Sequence, residues 1–317
     1  MQKRKLGRTG LEIAPLVFGG NVFGWTADEA TSFAMLDRFV DAGLDAIDTA
    51  DAYSRWVPGH QGGESETIIG KWLAANRSRR DRVTLITKVG VDLGPGKKGL
   101  SEQRILAAVE DSLRRMQTDV IDLYLSHYPD AETPIEETLG AYDKLLKAGK
   151  VRAIGCSNYD VPGLRAALDA AQTKGLPRYD VLQPEYNLID RSSFENNLRE
   201  LCINEELGVI TYYSLASGFL SGKYRGEQDL GKSARGSRVA QYLNPRGMRI
   251  LDALDKVAQA HGAKPAEVAL AWLIAQRGVT APIASATSVE QLESLIRSVQ
   301  LTLTSEDLNL LDTASAP

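Results

Sequence analysis

Apolar residues along the chain fall into two alternating patterns. Short, nearly continuous runs rich in Val, Ile and Leu lie at residues 16–20, 44–48, 83–89, 119–127, 151–157, 179–184, 208–214 and 279–285. Such runs predict strands buried on both faces. Longer stretches space their apolar residues at helical intervals: 28–42, 66–76, 101–116, 134–150, 161–172, 197–206, 246–261, 265–276 and 289–299. Ser101 is placed to cap the third of these, and Pro134 and Gly149 bracket the fourth. Residues 217–245 are polar, rich in glycine and read as irregular.

Strands that alternate with helices predict parallel crossovers. Eight such units in about 300 residues fit a (β/α)8 TIM barrel better than an open sheet. An open doubly wound sheet would typically carry GxGxxG after an early strand, and the chain has none. The stretch GRTGLEIAP, residues 7–15, sits between two short runs and predicts an N-terminal β-hairpin capping the bottom of the barrel. No linker or repeat divides the chain, so residues 1–317 read as one domain.

Composition narrows the classes. With 43% hydrophobic and 25% charged residues and a net charge of −4, the chain reads as a soluble globular protein with no basic face for nucleic acid. The basic cluster Arg77, Arg79, Arg80 and Arg82 around Asp81 reads as a solvated loop. Cys156 and Cys202 make neither a disulfide framework nor a zinc site and read as buried thiols in a reducing compartment. His60 and His261 lack metal-ligand spacing and read as surface loop residues. No secretory leader and no bilayer-spanning run is visible, so a cytoplasmic location is expected.

Candidate chemistry gathers at strand ends. In a barrel of this kind, functional residues cluster at the C-terminal ends of strands. Asp48 closes the second run and Tyr53 lies in the loop just after it; Lys88 is near the end of the third run, and His127 closes the fourth. Three consecutive strands thus deliver an acid, a phenol, an amine and an imidazole to one face. An ammonium beside a phenol favours phenolate and lowers its pKa. Asp48 would hold Lys88 charged and in place, His127 would orient a substrate oxygen, and Tyr53 would act as general acid toward an oxygen that gains charge. Carbonyl reduction needs such a donor, because hydride attack on carbon leaves an alkoxide.

The motifs DAIDTADAYS, GGESETIIGKWL, TKVG, LYLSHYPD, KVRAIGCSNY, LQPEYNLI, TYYSLASGFLSGKY and ASATSVEQLESL span nearly the whole chain. Together they resemble the aldo-keto reductase superfamily, with some similarity to its potassium-channel β-subunit branch. The resemblance implies a (β/α)8 barrel that moves hydride between NADPH and aldehydes or ketones, with Asp48, Tyr53, Lys88 and His127 as the catalytic tetrad. It implies that Ser157, Asn158 and Gln183 hold the nicotinamide carboxamide and that Tyr213 stacks beneath the ring. Ser214, Leu215, Ser217 and Gly218 would cover the pyrophosphate, Lys223 and Arg235 would supply positive charge or stack on adenine, and Ser285, Thr287 and Gln291 would grip the 2′-phosphate. Read without the resemblance, SNYD is a turn and N-cap, and Tyr213 is a core aromatic.

The chain departs from many relatives in having neither Lys nor Arg at Ser285 and Gln291, and in carrying Ser294 and Leu295 where an acid and an amide are common. NADPH is favoured, with NADH as the alternative. Trp25, Trp56 and Tyr128, with Tyr53 and His127, would line an aromatic pocket for a small carbonyl substrate. Two other functions fit the resemblance: an NADP-binding regulatory subunit without turnover, or an NAD-preferring dehydrogenase that oxidises an alcohol or sugar. A regulatory subunit is expected to carry an N-terminal inactivating extension, whereas this sequence begins directly at the expected hairpin.

Overall fold

The computed structural model describes residues 2–317. Strands β1 (Arg4–Lys5) and β2 (Glu12–Ile13) pair antiparallel. Eight further strands close a barrel: β3 (Val17–Gly19), β4 (Ala46–Asp48), β5 (Thr84–Val89), β6 (Ile121–Ser126), β7 (Val151–Ser157), β8 (Val181–Gln183), β9 (Gly208–Thr211) and β10 (Ala281–Ala284). They follow chain order, every neighbouring pair is parallel, and β10 returns to pair with β3. Both the (β/α)8 barrel and the N-terminal hairpin expected from the apolar pattern are present.

The helices are α1 (Glu29–Asp41), α2 (Glu64–Ala75), α3 (Glu102–Met116), α4 (Ile135–Lys147), α5 (Val161–Lys174), α6 (Ser192–Glu195), α7 (Leu198–Asn204), α8 (Gly236–Val239), α9 (Pro245–His261), α10 (Pro265–Ala275), α11 (Val289–Ser298) and α12 (Ser305–Ser315). Local chemistry sets several starts. Asp28, Ser101, Asp160, Asn244 and Ser288 each accept a backbone N–H of the first turn they precede, which satisfies a donor the helix itself leaves orphaned.

Two apolar layers follow from strand alternation. Inward-facing Val17, Ala46, Ile86, Leu123, Leu125, Ala153, Val181 and Ile210 fill the barrel, and hairpin-side Leu6 and Ile13 join that cluster. The hairpin turn lies against the N-terminal ends of the strands: a Cβ on Gly7 would meet Asp180 O at 2.3 Å and Gly208 N at 2.5 Å. The other layer packs the outer strand faces against the helices, with Trp72, Trp272 and Tyr142 fully buried. The bottom is therefore sealed by side chains, and the top is left to loops.

Four sequence expectations need correction. The run 208–214 is strand only to Thr211, because Tyr213 turns into a left-handed conformation. Residues 217–245 are not irregular but form tight helical turns that bury Phe219, Leu220, Tyr224 and Val239. Part of the 77–82 cluster is anchored: Arg80 lies 2.8 Å from buried Asp122, and Arg79 ion-pairs with Asp37 and stands over the Trp72 ring. His261 ends α9 rather than lying in a loop, and meets Asp307 at 2.8 Å. Helix α12 has no counterpart among the expected elements; a Thr304–Asp307 capping box and a bond from Trp272 Nε1 to Asp312 fix it. Both cysteines are free and buried. No helix is long and apolar enough to cross a membrane, and no metal-binding cluster of His, Cys, Asp or Glu occurs among the described residues.

Candidate active site

At the top of the barrel, β4 ends at Asp48 but its pairing with β5 continues. Thr49 N donates to Ile86 O at 2.8 Å, and Asp51 N donates to Lys88 O at 3.2 Å. This holds the loop that follows close to β5 and brings Tyr53 over the barrel. Lys88, fully buried, spends all three donors there: 2.7 Å to Asp48 Oδ2, 2.8 Å to Thr49 O and 2.8 Å to the Tyr53 oxygen. Tyr53 donates to Asp48 Oδ2 at 3.2 Å, and Gln183 Nε2 donates to Asp48 Oδ1 at 2.9 Å. Both carboxylate oxygens are thus occupied, as a buried charge requires.

His127 stands beside this group, its ring 6.0 Å from that of Tyr53 and stacked at 5.1 Å on Tyr128. Burial and the nearby Lys88 ammonium push its imidazole well below the usual histidine value, so it is neutral at neutral pH. Its Nδ1 is buried without a partner. A neutral imidazole carries one N–H to offer an oxygen.

The electrostatics at Tyr53 differ from the sequence expectation. Burial, reinforced by the Asp48 carboxylate, raises the phenol well above its usual value rather than lowering it. Burial is the larger cause, and Lys88, itself held by Asp48, does not offset it. Tyr53 therefore stays protonated over the whole physiological range.

A cavity of about 540 Å³ opens above these residues. Asp48, Tyr53, His127, Ser157, Asn158 and Gln183 line it, as do Tyr213, Ser214, Leu215, Ser217, Gly218, Arg235 and Ser285. So do Trp25, Trp56 and Tyr128; Trp25 meets Trp56 edge-on at 5.6 Å, and Trp56 lies 6.2 Å from Tyr53. Lys88 lies behind the lining. Lys223, Thr287 and Gln291 are outside it: the Lys223 ammonium stands 5.1 Å over the Tyr224 ring, and Gln291 Oε1 accepts from both N and Oγ1 of Thr287. Ser294 is buried against Glu267, donating at 2.7 Å, and Leu295 is core, so neither faces the cavity.

Asn158 shows why the two readings of SNYD are compatible. Its φ is 64° and its Nδ2 donates to His127 O at 2.8 Å, while Asp160 two residues on caps α5. Tyr213, φ 51°, is strained for an aromatic residue. Asn187 Nδ2 and the Arg238 guanidinium hold it at its carbonyl and hydroxyl, leaving 37% of the residue exposed at the cavity. Strain of this kind persists only where surroundings impose it, and it clusters at functional sites.

Sequence reasoning missed several lining residues. Asn21 accepts from Ser285 Oγ at 2.8 Å, and Tyr212 donates to Asn158 Oδ1 at 2.6 Å. Nothing in TYYS distinguishes the tyrosine that buttresses an amide from the one that faces the cavity.

A second polar cluster supports the Tyr53 loop from behind. Arg104 of α3 reaches Asp51 at 2.6 Å, and Arg115 of α3 reaches buried Glu66 of α2 at 2.6 Å. The glycine pair of GGESE makes this possible: a Cβ on Gly62 would meet Asp51 O at 2.8 Å, and one on Gly63 would meet the Arg115 side chain at 2.5 Å. Burial, helped by Glu66, lifts Asp51 to about 7 from an ordinary 3.8. The folded chain keeps a proton there that the unfolded chain releases near 3.8, so the stability it contributes is present in acid and lost as pH rises through about 7. Melting wild type and Asp51→Asn across this range should show the wild-type Tm falling relative to the variant. Parallel curves would remove Asp51 from the pH dependence.

Residues 15–316 match the model of the aldo/keto reductase family. The chain is 36% identical to the uncharacterized oxidoreductase YrpG of Bacillus subtilis, covering 98% of this chain and 95% of that protein. It is 30% identical to L-glyceraldehyde 3-phosphate reductase of Escherichia coli, over 98% and 92% of the two chains. It is 31% identical to a probable voltage-gated potassium channel subunit beta of Arabidopsis thaliana, over 95% and 92%. With its closed parallel barrel and a match over nearly its whole length, the chain belongs to the aldo/keto reductase family.

Proposed function

We propose that the protein reduces aldehydes or ketones to alcohols with NADPH, Tyr53 acting as general acid. The observation that carries this reading is the Lys88 ammonium, 2.8 Å from the Tyr53 oxygen and anchored by Asp48, beside a cavity lined by His127. The raised phenol keeps its proton until a carbonyl oxygen gains charge. The His127 N–H orients that oxygen and shares the charge. As the proton leaves Tyr53, the phenolate that forms is already hydrogen-bonded by Lys88.

The cavity suits a nicotinamide dinucleotide. Gln183 keeps its side-chain carbonyl and one side-chain N–H free for a carboxamide, the Tyr213 ring offers a stacking face, and Arg235 Nη2 is buried without a partner, as an anion-binding guanidinium would be. When bound, the reduced nicotinamide supplies the hydride. Ser157, Asn158 and Gln183 would fix its carboxamide, and Ser214, Leu215, Ser217, Gly218 and Arg235 would border the phosphates. Ser285, Thr287 and Gln291 would meet the adenosine end, with Lys223 supplying charge from outside the cavity.

Steady-state kinetics should give a higher kcat/KM with NADPH than with NADH. The margin should be modest, because the cations on and beside α11 are engaged elsewhere: Arg38 with Glu293, and Arg297 with Glu267. A clear preference for NADH would reverse the cofactor assignment and favour an alcohol or sugar dehydrogenase. Similarity to a channel β subunit supports a second reading, an NADP-binding regulatory protein. Tight NADPH binding without turnover across an aldehyde panel would select it.

A further inference from the structure

The substrate end of the cavity carries a charge that the reduction itself does not use. Among residues lining the cavity, three are arginines (Arg55, Arg235 and Arg238), and the one carboxylate, Asp48, is bonded to Lys88. Arg235 stands 5.2 Å over the Trp25 ring and Arg238 donates to the Tyr213 hydroxyl, so both are held against cavity aromatics. Arg55 is placed differently. It lies two residues after Tyr53 and next to Trp56, and its charge acts on His127 and Tyr128.

Arg55 is also anchored. Its Nη1 donates to the Asp92 carbonyl on the loop after β5, which leaves four N–H groups of a planar fork uncommitted. It makes no ion pair with a carboxylate among the described residues. Glu185, which acts on Tyr128, is lifted to about 7 by burial and Asp190 and lies outside the lining. Arg55 and Trp56 also wall an adjoining cavity of about 880 Å³ whose other charged residues are of both signs, Lys97, Arg104 and Arg115 with Asp51, Asp92 and Asp111; Arg104 and Arg115 are already paired, with Asp51 and Glu66.

We propose that Arg55 is a specificity determinant that binds a carboxylate or phosphate on the carbonyl substrate, making anionic aldehydes the preferred substrate class. This rests on the reductase reading. A charge-assisted bond from a partly solvated arginine should favour the charged substrate by about tenfold.

The test compares matched pairs with NADPH: 4-carboxybenzaldehyde against its methyl ester, and glyceraldehyde 3-phosphate against glyceraldehyde. Wild type should favour the charged member chiefly through KM, and Arg55→Met should reduce the charged-to-neutral ratio of kcat/KM about tenfold. Arg55→Lys should keep part of it. The pair that carries the preference identifies carboxylate or phosphate. Quenching of Trp25 and Trp56 fluorescence by 4-(hydroxymethyl)benzoate and its methyl ester gives a readout independent of turnover. Charge-selective quenching lost in Arg55→Met, with no aldehyde reduced, would sink the reductase reading and leave Arg55 as an anion-binding residue. A ratio near one in wild type, or the same ratio in wild type and Arg55→Met, overturns the proposal.

Discussion

Tyr53→Phe is expected to lower kcat by about a hundredfold to ten-thousandfold while leaving cofactor affinity near the wild-type value. The hydroxyl is the group removed, and the ring contacts with Trp56 and His127 remain available. Lys88 keeps Asp48 Oδ2 and Thr49 O as acceptors, so the change should cost little stability. Single-turnover hydride transfer together with a cofactor titration checks both parts. Full activity in this variant would take the tyrosine out of the reaction.

Lys88→Met should damage both stability and turnover. It leaves the Asp48 carboxylate buried with only Gln183 and Tyr53 donating to it. Breaking a buried ion pair from one side costs about 3–5 kcal/mol. It also removes the donor that stabilises the phenolate, a loss of about a hundredfold or more in kcat. Adding Asp48→Asn should recover much of the stability, because no uncompensated charge remains, but not the activity. The measurements are urea unfolding and kcat for the single and double variants. If the double variant regains turnover, Lys88 serves the fold and not the reaction.

Much of the scaffold can be read from residue order, since the eight apolar runs coincide with the eight barrel strands. Burial on both faces demands continuous Val, Ile and Leu, and that demand is local and visible. Helix α12 escaped notice because only a few of its residues, among them Leu311 and Ala314, are buried. The turns of 216–242 escaped because glycine and polar residues there coexist with core residues such as Phe219 and Val239.

The placement of Asp48, Lys88 and His127 at consecutive strand ends follows from periodicity plus the rule that barrel strands run parallel, and Tyr53 follows by proximity to Asp48. Sequence also determined that these groups share one face. What it did not determine is the state of each group or its neighbours across the fold. That Tyr53 is raised rather than lowered depends first on its burial and then on the Asp48 carboxylate beside it. That Asp51 is lifted to about 7 depends on its burial beside Glu66 of one helix, with Arg104 of another opposing the rise. That Ser294 faces Glu267 depends on how α11 lies against α10. Strand identity is written in local hydrophobic pattern, whereas charge state and partnership arise from distances between residues remote in sequence, which only the closed barrel fixes.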